Sequence, residues 1–425
     1  MLDIEMIIKN PEDVKKALKK RNFDVDFGGF IELRETRNAL IQRIEEVRAL
    51  RNKLSKSIGE YKRNKLDTTE LFKEIDNIKD AVTKDEEELA KIEELITEFL
   101  LKIPNIPDED LLSGDKENNV VVAVNKDKPE FDFPIKDHVE LATSLGLIDY
   151  ERAAKISGRG TWIYTNLGAR LEWALLNFFI DQHLQDDYEF LLLPHLLNYQ
   201  SGLTAGQFPK FQDEVFWLEN ESPKKFILPT AETALINVHR DEIMDLKKLP
   251  KKYFSYTPCY RKEAGSYRSE ERGMIRGYQF NKVEMVQFTT PDMSDDAFLE
   301  LMVKAESLMK QLGLHFQVSK LAAGDISFAM ARTFDIEVWL PSIGIYKEVS
   351  SVSNSRDFQA RRGMIRYRKD DGKIDYCHTL NGSGLATSRL LPAILEQNQL
   401  ADGSVVVPKV LVPYMGGVEV LKKVK

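Results

Sequence analysis

The sequence predicts an α+β protein in which an antiparallel coiled-coil hairpin precedes a mainly antiparallel β-sheet flanked by helices. Two consecutive segments carry apolar residues at alternating spacings of three and four, which is the pattern of a coiled-coil seam. A polar stretch bearing two prolines follows them. Beyond it, short β-type segments predominate without the regular strand–helix alternation of a parallel sheet.

A short helix is predicted ahead of the hairpin. Asn10 is a favourable N-cap, Pro11 suits the first helical position, and Asp13 can complete a capping box. We expect this helix to end before Gly28 and Gly29, after which the regular spacing begins.

The hairpin is predicted to cover about residues 30–103, with its tip near Lys65. The seam of the first helix consists of Leu33, Arg37, Leu40, Ile44, Val47, Arg51, Leu54, Ile58 and Tyr61, and that of the second of Leu71, Ile75, Ile78, Val82, Asp85, Leu89, Ile92, Ile96, Phe99 and Ile103. Folding the two runs together places Arg51 near Asp85. We predict that these two side chains pair, since an unpaired charge on such a seam is costly.

Charge is unevenly distributed along this hairpin. The chain has a formal net charge of −8, yet basic residues outnumber acidic ones between Phe30 and Leu66. A basic helix offers sequence-independent contacts to phosphates, which indicates an RNA-binding arm. The candidate contacts are Arg48, Lys53, Lys56, Lys62, Arg63 and Lys65. Dimerisation or scaffolding is the alternative, and it is the commoner role of coiled coils.

Composition excludes several other classes of protein. The chain is 43% hydrophobic and 30% charged, as in soluble globular proteins, and it has no apolar run near the ~20 residues of a membrane span. Its first residues lack the pattern of a secretory signal. Cys259 and Cys377 stand far apart, which predicts a reducing, cytoplasmic compartment, and the histidines show no zinc-ligand spacing.

We predict three parts in the chain. Residues 1–104 form an N-terminal domain with the arm, 105–119 a linker, and 120–425 a second domain. The strands expected in the second domain lie around 190–193, 226–228, 254–260, 279–288, 334–340, 345–350 and 376–380, and the helices at 166–185, 231–240, 294–312 and 385–399.

Two of these strands carry a chemically suggestive set of side chains. Arg261 and Glu263 end one strand, two residues apart and therefore on one face. On the next strand Phe280 and Glu284 share a face about 13 Å apart. This spacing suits a ligand with an aromatic base at one end, an ammonium group at the other and a phosphate between them. Taken singly, each residue is more often a core, solvent-exposed or ion-pair residue.

Together these strands resemble motif 2 of the class II aminoacyl-tRNA synthetases, and in particular of the seryl family. Phe226-Ile-Leu-Pro-Thr-Ala-Glu232 resembles the loop that forms the serine pocket of that family. Glu348-Val-Ser-Ser351 resembles its ATP- and magnesium-binding stretch. Asn381-Gly-Ser-Gly-Leu-Ala-Thr-Ser-Arg389 resembles motif 3, whose glycines open a helix. The resemblance covers essentially the whole chain.

The resemblance implies a role for each matching residue. Arg261 would bridge the α-phosphate and the serine carboxylate, Phe280 would stack on the base, and Arg389 would hold the γ-phosphate. The implied catalytic residues are Arg261, Glu348 and Arg389. The implied ATP-binding residues are Arg261, Lys262, Glu263, Gly277, Phe280, Glu348, Val349, Ser350, Ser351 and Arg389, with Mg²⁺ on Glu348 and Ser351. The implied serine-binding residues are Thr230, Ala231, Glu232, Arg261, Glu284, Asn381 and Ser383.

The resemblance further implies ATP-dependent activation of L-serine to seryl-adenylate and its transfer to the 3′ end of tRNA(Ser). It leaves open whether a selenocysteine tRNA is also charged. ATP and Mg²⁺ are the implied cofactors, and tRNA would contact the arm and the motif 2 loop. A homodimer is implied because Pro194 matches the motif 1 proline, and no membrane partner is expected.

Two features depart from the family pattern. Position 277 is glycine where a larger apolar residue is common, and residues 267–272 are more charged than usual. Three alternatives stay open at this point: a ligase that loads a carrier protein, an inactive coiled-coil interaction protein, and another class II specificity such as threonine or proline.

Overall fold

The computed structural model describes residues 1–263 and 272–423. Their contacts divide them into two compact units. One contains Leu2–Lys16 and Asp24–Ile103, and the other contains Met1, Ala17–Phe23 and the chain from Pro104 onward. The limits 1–104, 105–119 and 120–425 stay a prediction.

The chain begins with helices that the apolar spacing largely anticipates. They are Ile4–Lys9 (α1), Pro11–Lys19 (α2), Gly28–Arg63 (α3) and Thr69–Leu101 (α4). Pro11 opens α2 as predicted, whereas α1 was not predicted. Helix α3 starts at Gly28, so the two glycines lie in its first turn rather than ahead of it. The turn between α3 and α4 contains Lys65, whose positive φ of 56° fits a tight reversal.

Part of the predicted seam of the hairpin is buried, but its charged pair differs from the prediction. Leu40 and Ile44 of α3 and Val82 of α4 are buried. Asp85 is also buried, and it pairs with Arg43, whose Nε donates a hydrogen bond of 2.7 Å to Oδ2. The predicted pairing of Asp85 with Arg51 is therefore wrong.

The reason is the register of the two helices. Phe99 stacks on Phe30, with ring centroids 5.1 Å apart, and Arg37 pairs with Glu93. Heptad spacing identifies which residues face the partner helix but leaves their pairing free by several residues. Arg51 lies eight residues beyond Arg43, about 12 Å along the helix, and is exposed.

The larger unit is built on an antiparallel sheet. Its strands are Val120–Asn125 (β1), Ile148–Asp149 (β2), Ile163–Tyr164 (β3), Glu189–Phe190 (β4), Leu196–Asn198 (β5), Lys225–Ile227 (β6), Ile243–Asp245 (β7), Lys251–Tyr260 (β8), Gln279–Thr289 (β9), Phe316–Lys320 (β10), Arg332–Leu340 (β11), Ile345–Asn354 (β12), Arg366–Arg368 (β13), Ile374–Tyr376 (β14), His378–Ala386 (β15), Val405–Val406 (β16) and Val420–Leu421 (β17). Eight of them form one sheet in the order β1-β10-β11-β12-β15-β9-β8-β4, antiparallel except for the β4–β8 pair.

The same unit contains helices, several of which pack on this sheet. They are His138–Ser144 (α5), Tyr150–Ser157 (α6), Asn166–Gln185 (α7), Tyr199–Thr204 (α8), Ala231–Leu235 (α9), Ser294–Gln311 (α10), Phe358–Gly363 (α11) and Thr387–Gln397 (α12). Short 3₁₀ turns occur at Lys116–Asn118, Ile236–His239, Leu246–Lys248, Pro291–Met293 and Lys409–Leu411. Leu301 of α10 and Ile394 of α12 belong to the main core, together with Met285 of β9. None of the helices in the described ranges is long and apolar enough to span a bilayer.

Register brings the motif strands side by side. Strands β8 and β9 pair with Ser255 opposite Glu284, and β9 and β15 pair with Glu284 opposite Ser383. Residues 381–386 lie in β15, so the glycines of this segment belong to a strand. The expectation that they open a helix is therefore wrong. The helix begins one residue later, at Thr387.

Candidate active site

One cavity collects many of the predicted ATP-binding residues. It lies where β8, β9 and β12 meet the start of α12. The site residues predicted from the sequence that line this cavity are Arg261, Glu263, Gly277, Phe280, Glu348, Val349, Ser383 and Arg389. These residues come from distant parts of the chain, so the sheet is what assembles them.

Arg261 and Phe280 face each other across the β8–β9 pair. The Arg261 guanidinium lies 5.1 Å from the centre of the Phe280 ring, and its Nε donates a hydrogen bond of 3.2 Å to the Pro229 carbonyl. A guanidinium over an aromatic face gains a cation–π attraction. The two contacts fix the position of the arginine in the lining of the cavity.

Glu263 and Lys262 follow at the end of the strand. Glu263 has a positive φ of 50° and forms an ion pair with Arg276. The Lys262 backbone N–H donates to the Glu214 carbonyl at 2.9 Å. The predicted loop contact to tRNA falls mostly on residues 264–271, which lie outside the described ranges.

The packing of Trp162 requires a glycine at position 277. A Cβ at this position would lie 2.2 Å from the Trp162 ring and 2.8 Å from the Gly160 carbonyl oxygen. The glycine therefore lets the Trp162 ring pack directly on the backbone beside Phe280. This contact explains why a larger residue is absent here.

Arg389 projects from α12 toward β12. Its Nη1 donates to the Glu348 carbonyl at 3.0 Å and lies 3.4 Å from the Glu348 carboxylate. The Arg389 Nε also donates to the Ile275 carbonyl at 3.3 Å. Arg389 and Glu348 are both partly exposed, so a ligand can reach either group.

The other residues of the Glu348–Ser351 stretch differ in what they face. Val349 is buried, and the Ser350 hydroxyl donates to the Ser383 carbonyl at 2.7 Å, so Ser350 joins two strands. Ser351 lies opposite Asp335 of β11. The Asp335 carboxylate is buried, and its Oδ1 has no hydrogen-bond partner among the described residues.

These oxygens fit a hard cation. Burial and the neighbouring Glu348 charge raise the pKa of Asp335 well above its usual range. A cation beside Ser351 and Glu348 would relieve this cost, and carboxylate and hydroxyl oxygens are the donors that Mg²⁺ prefers. The residues present therefore fit the ion that the resemblance implies.

The predicted serine-binding residues other than Arg261 form a largely buried cluster around Glu284, and this cluster adjoins the cavity at Ser383. Glu284 is fully buried. Its Oε1 accepts from Asn381 Nδ2 at 3.0 Å, and its Oε2 accepts from the Ser383 hydroxyl at 3.3 Å. Thr230 caps α9, and Ala231 is its first, buried residue.

Glu232 adds a second carboxylate to this cluster. Gln359 donates to its Oε1 at 2.9 Å. Burial, together with the nearby Glu284 charge, raises the pKa of Glu232 to about 7, although Lys282, Gln359 and Arg261 act in the opposite direction. Near neutral pH the cluster can therefore gain or lose one proton.

Lys282 completes the cluster and was not among the predicted site residues. Its Nζ lies 2.5 Å from Glu284 Oε2 and donates to the Thr230 hydroxyl at 2.8 Å. Its position between Phe280 and Glu284 was a usable signal, because all three alternate residues share one strand face.

The candidate RNA-contacting residues lie on the arm. Lys53, Lys56, Arg63 and Lys65 are exposed. Lys62 lies over the Phe72 ring at 5.0 Å, and Arg48 pairs with Glu86 at 2.6 Å. Most of these cations thus stay available at the surface.

Comparison with known proteins decides the family. Residues 1–107 match the seryl-tRNA synthetase N-terminal domain, and residues 216–398 match the tRNA synthetase class II core domain (G, H, P, S and T). A "Serine--tRNA ligase 2" of Clostridium acetobutylicum is 56% identical over 98% of this chain and 99% of its own length. The chain belongs to the seryl-tRNA synthetase family. It is therefore a class II aminoacyl-tRNA ligase.

Other relatives agree over the full length. A "Serine--tRNA ligase" of Thermodesulfovibrio yellowstonii is 46% identical over 98% of this chain and 99% of its own. The crystal structure of seryl-tRNA synthetase from Pyrococcus horikoshii complexed with ATP superposes with a TM-score of 0.92 and 31% identity over all of both chains. The crystal structure of the cytoplasmic serine–tRNA ligase from Naegleria fowleri in complex with AMP superposes with a TM-score of 0.88 and 28% identity, over 100% of this chain and 99% of its own. The fold and the family predicted from the sequence are confirmed.

Gly277→Val should destabilise the protein, because its side chain would overlap the Trp162 ring. Overpacking of this kind costs about 1–3 kcal/mol. Gly59→Ala is the control, since a Cβ there meets nothing within 4 Å and alanine favours the interior of a helix. Thermal unfolding followed by tryptophan fluorescence and circular dichroism measures both. Equal melting temperatures for Gly277→Val and the wild type would contradict the packing argument.

Proposed function

We propose that the chain activates L-serine with ATP and transfers it to the 3′ end of tRNA(Ser). One observation supports this most directly. A single strand, β9, presents Phe280 at the cavity and the buried Glu284 at the other end of the same face. Arg261 lies against the aromatic end, where it can contact a phosphate.

The first step follows from this arrangement. A serine carboxylate oxygen attacks the α-phosphorus of ATP, the bond to the β-phosphate oxygen breaks, and pyrophosphate leaves. Arg261 would orient the carboxylate and the α-phosphate, while Arg389 would neutralise the leaving phosphates. No protein nucleophile is needed, because positioning and charge neutralisation supply the catalysis. Mg²⁺, held by Glu348 and Ser351, would add positive charge at the phosphates.

In the second step a ribose hydroxyl of the terminal adenosine attacks the carbonyl carbon of the adenylate, and AMP leaves with the phosphate. The hydroxyl proton can pass to that phosphate. This step requires the 3′ end to reach the cavity beside Arg261.

Selection of serine would rest on the buried cluster. Thr230, Glu232 and Glu284 supply polar groups for the ammonium and the hydroxyl of the substrate. Alanine leaves such groups unsatisfied, which is a stronger penalty than one missing methylene group. Threonine would be excluded by its extra methyl group in a tightly packed pocket.

We further propose that the arm binds tRNA(Ser) and that the protein is a homodimer. The arm cations are exposed, as phosphate contacts require. Leu192 and Leu196, two residues before and after Pro194, are 78% and 52% exposed, and Trp173 and Leu184 of α7 are 51% and 52% exposed. Exposed apolar side chains of this kind suit an interface with a second copy. The buried free thiols of Cys259 and Cys377 fit a cytoplasmic protein.

The activity itself is tested by amino-acid-dependent ATP–pyrophosphate exchange with all twenty amino acids and without tRNA. We expect strong exchange with serine alone. Exchange with another amino acid would overturn the assignment of the pocket but keep the class II reaction. No exchange with any amino acid would favour an inactive interaction protein.

The raised pKa of Glu232 predicts a pH dependence of serine binding. Below pH 7 the carboxyl is protonated and neutral, whereas a bound ammonium group favours its ionised form. The KM for serine should therefore rise as pH falls from 8 to 6, by up to about tenfold per unit below the pKa. Glu232→Gln should flatten this profile. An unchanged profile in Glu232→Gln would show that another group titrates.

Neutralising the arm should weaken tRNA binding without affecting exchange. In the variant Lys53→Gln/Lys56→Gln/Lys65→Gln, the plot of log affinity against log salt concentration should become less steep. The magnitude of its slope should decrease by about one for each lost phosphate contact. The matched control replaces Lys247, Lys248 and Lys373, which are also exposed, by glutamine. Filter binding at several salt concentrations measures both variants. Equal slopes for the two variants would show that these arm lysines do not contact tRNA phosphates.

A further inference from the structure

Lys282 is a buried lysine in the cluster around Glu284, with only 7% of it exposed, and it also lines the cavity of Arg261 and Phe280. It lies on β9 between Phe280 and Glu284, on the same strand face. Its ammonium group bridges two elements, since it contacts Glu284 of β9 and Thr230 at the start of α9. A buried lysine with two such partners is a built feature of the pocket rather than a surface charge.

The first consequence concerns the acceptor capacity of Glu284. A carboxylate has about four acceptor positions. Asn381 occupies one on Oε1, while Ser383 and Lys282 occupy those on Oε2 at 3.3 and 2.5 Å. Among the described residues, the position without a donor is on Oε1. Glu284 can therefore accept one further hydrogen bond from a ligand.

The second consequence concerns the Thr230 hydroxyl. Its oxygen accepts from the Lys282 ammonium at 2.8 Å and from the Glu232 backbone N–H at 3.3 Å. A hydroxyl oxygen has two acceptor positions and one hydrogen to donate. Both acceptor positions are taken, so Thr230 can only donate to a ligand.

We propose that Lys282 is a positioning residue that determines specificity by fixing this hydrogen-bond polarity. With Lys282 in place, the pocket offers one donor at Thr230 and one acceptor position at Glu284. A ligand hydroxyl satisfies both, since it accepts and donates at once, whereas a methyl group satisfies neither. This inference rests on the proposed function and assigns the selection of a hydroxyl-bearing amino acid to a residue that does not itself contact the reacting atoms.

A purely structural counterion for Glu284 is the competing explanation. Removing either partner of a buried ion pair destabilises a fold whatever its function. The two explanations differ in what changes besides stability. A positioning role alters serine recognition and leaves ATP recognition intact, whereas a structural role damages both.

The test compares Lys282→Met with Lys252→Met in the full-length protein. Lys252 is a matched control, because it lies on the neighbouring strand β8 and pairs with the Glu300 carboxylate at 2.8 and 2.9 Å, outside the pocket. Initial rates of ATP–pyrophosphate exchange give the KM for serine, the KM for ATP and the ratio of kcat/KM for serine over alanine.

In Lys282→Met we expect the KM for serine to rise about tenfold or more while the KM for ATP stays within about twofold. The preference for serine over alanine should fall by about tenfold or more, since the Thr230 hydroxyl is then no longer held as a donor to the ligand and can pair within the pocket instead. Lys252→Met should match the wild type in all three quantities. Kinetics of Lys282→Met equal to those of Lys252→Met, or an equal loss toward serine and ATP, would overturn the proposal.

A second variant covers the case in which Lys282→Met does not fold. Lys282→Gln keeps a hydrogen-bond donor without the charge, so its preference for serine over alanine should stay within about threefold of the wild-type value. Calorimetric titration with serine and with alanine gives a readout independent of turnover, and a loss of serine preference of about tenfold or more in Lys282→Gln would contradict the proposal. Failure of the wild type to exchange with serine would instead refute the proposed function, so the two failures are distinguishable.

Discussion

The Glu284 carboxylate is fully shielded from water within an eight-stranded sheet. Much of the surrounding structure compensates the free-energy cost of this buried charge. An isolated buried charge is very costly unless hydrogen bonds and an opposite charge surround it. Lys282 supplies the charge, and Asn381 and Ser383 supply hydrogen bonds from the adjacent strand β15. The register of β9 on β15, with Glu284 opposite Ser383, is therefore as much a requirement of the pocket as of the sheet.

The same strand gives the site its two ends. An extended strand alternates its faces, so Phe280 and Glu284 point the same way with Lys282 between them. At the outer end the groups stay accessible, since Arg389 and Glu348 are partly exposed and can exchange their mutual contact for ligand phosphates. At the inner end Glu284 keeps one acceptor position and Thr230 one hydrogen to donate, so a ligand of matching polarity enters with the least loss. In the proposed function, one backbone element would thus combine a permissive end for ATP with a selective end for serine.

The sequence revealed the parts of this site that follow from local periodicity. Phe280 and Glu284 were found because strands have a period of two, whereas Lys282 was missed because a strand lysine usually faces solvent. Contacts between segments far apart in the sequence could not be predicted from it, and the packing of Trp162 on Gly277 is one example. The coiled-coil hairpin was predictable from heptads, but its register was not, since the repeat defines a face and leaves the pairing of Asp85 to the packed structure.

Calorimetric titration of serine into Glu284→Gln tests the central claim most directly. Glutamine preserves the size of the side chain and removes its charge. We predict that serine affinity falls by about tenfold or more, because a hydrogen bond to a charged group is lost. Glu396→Gln is the control, since Glu396 is equally buried and pairs with His138 away from the pocket. Wild-type affinity in Glu284→Gln, or an equal loss in both variants, would contradict the account.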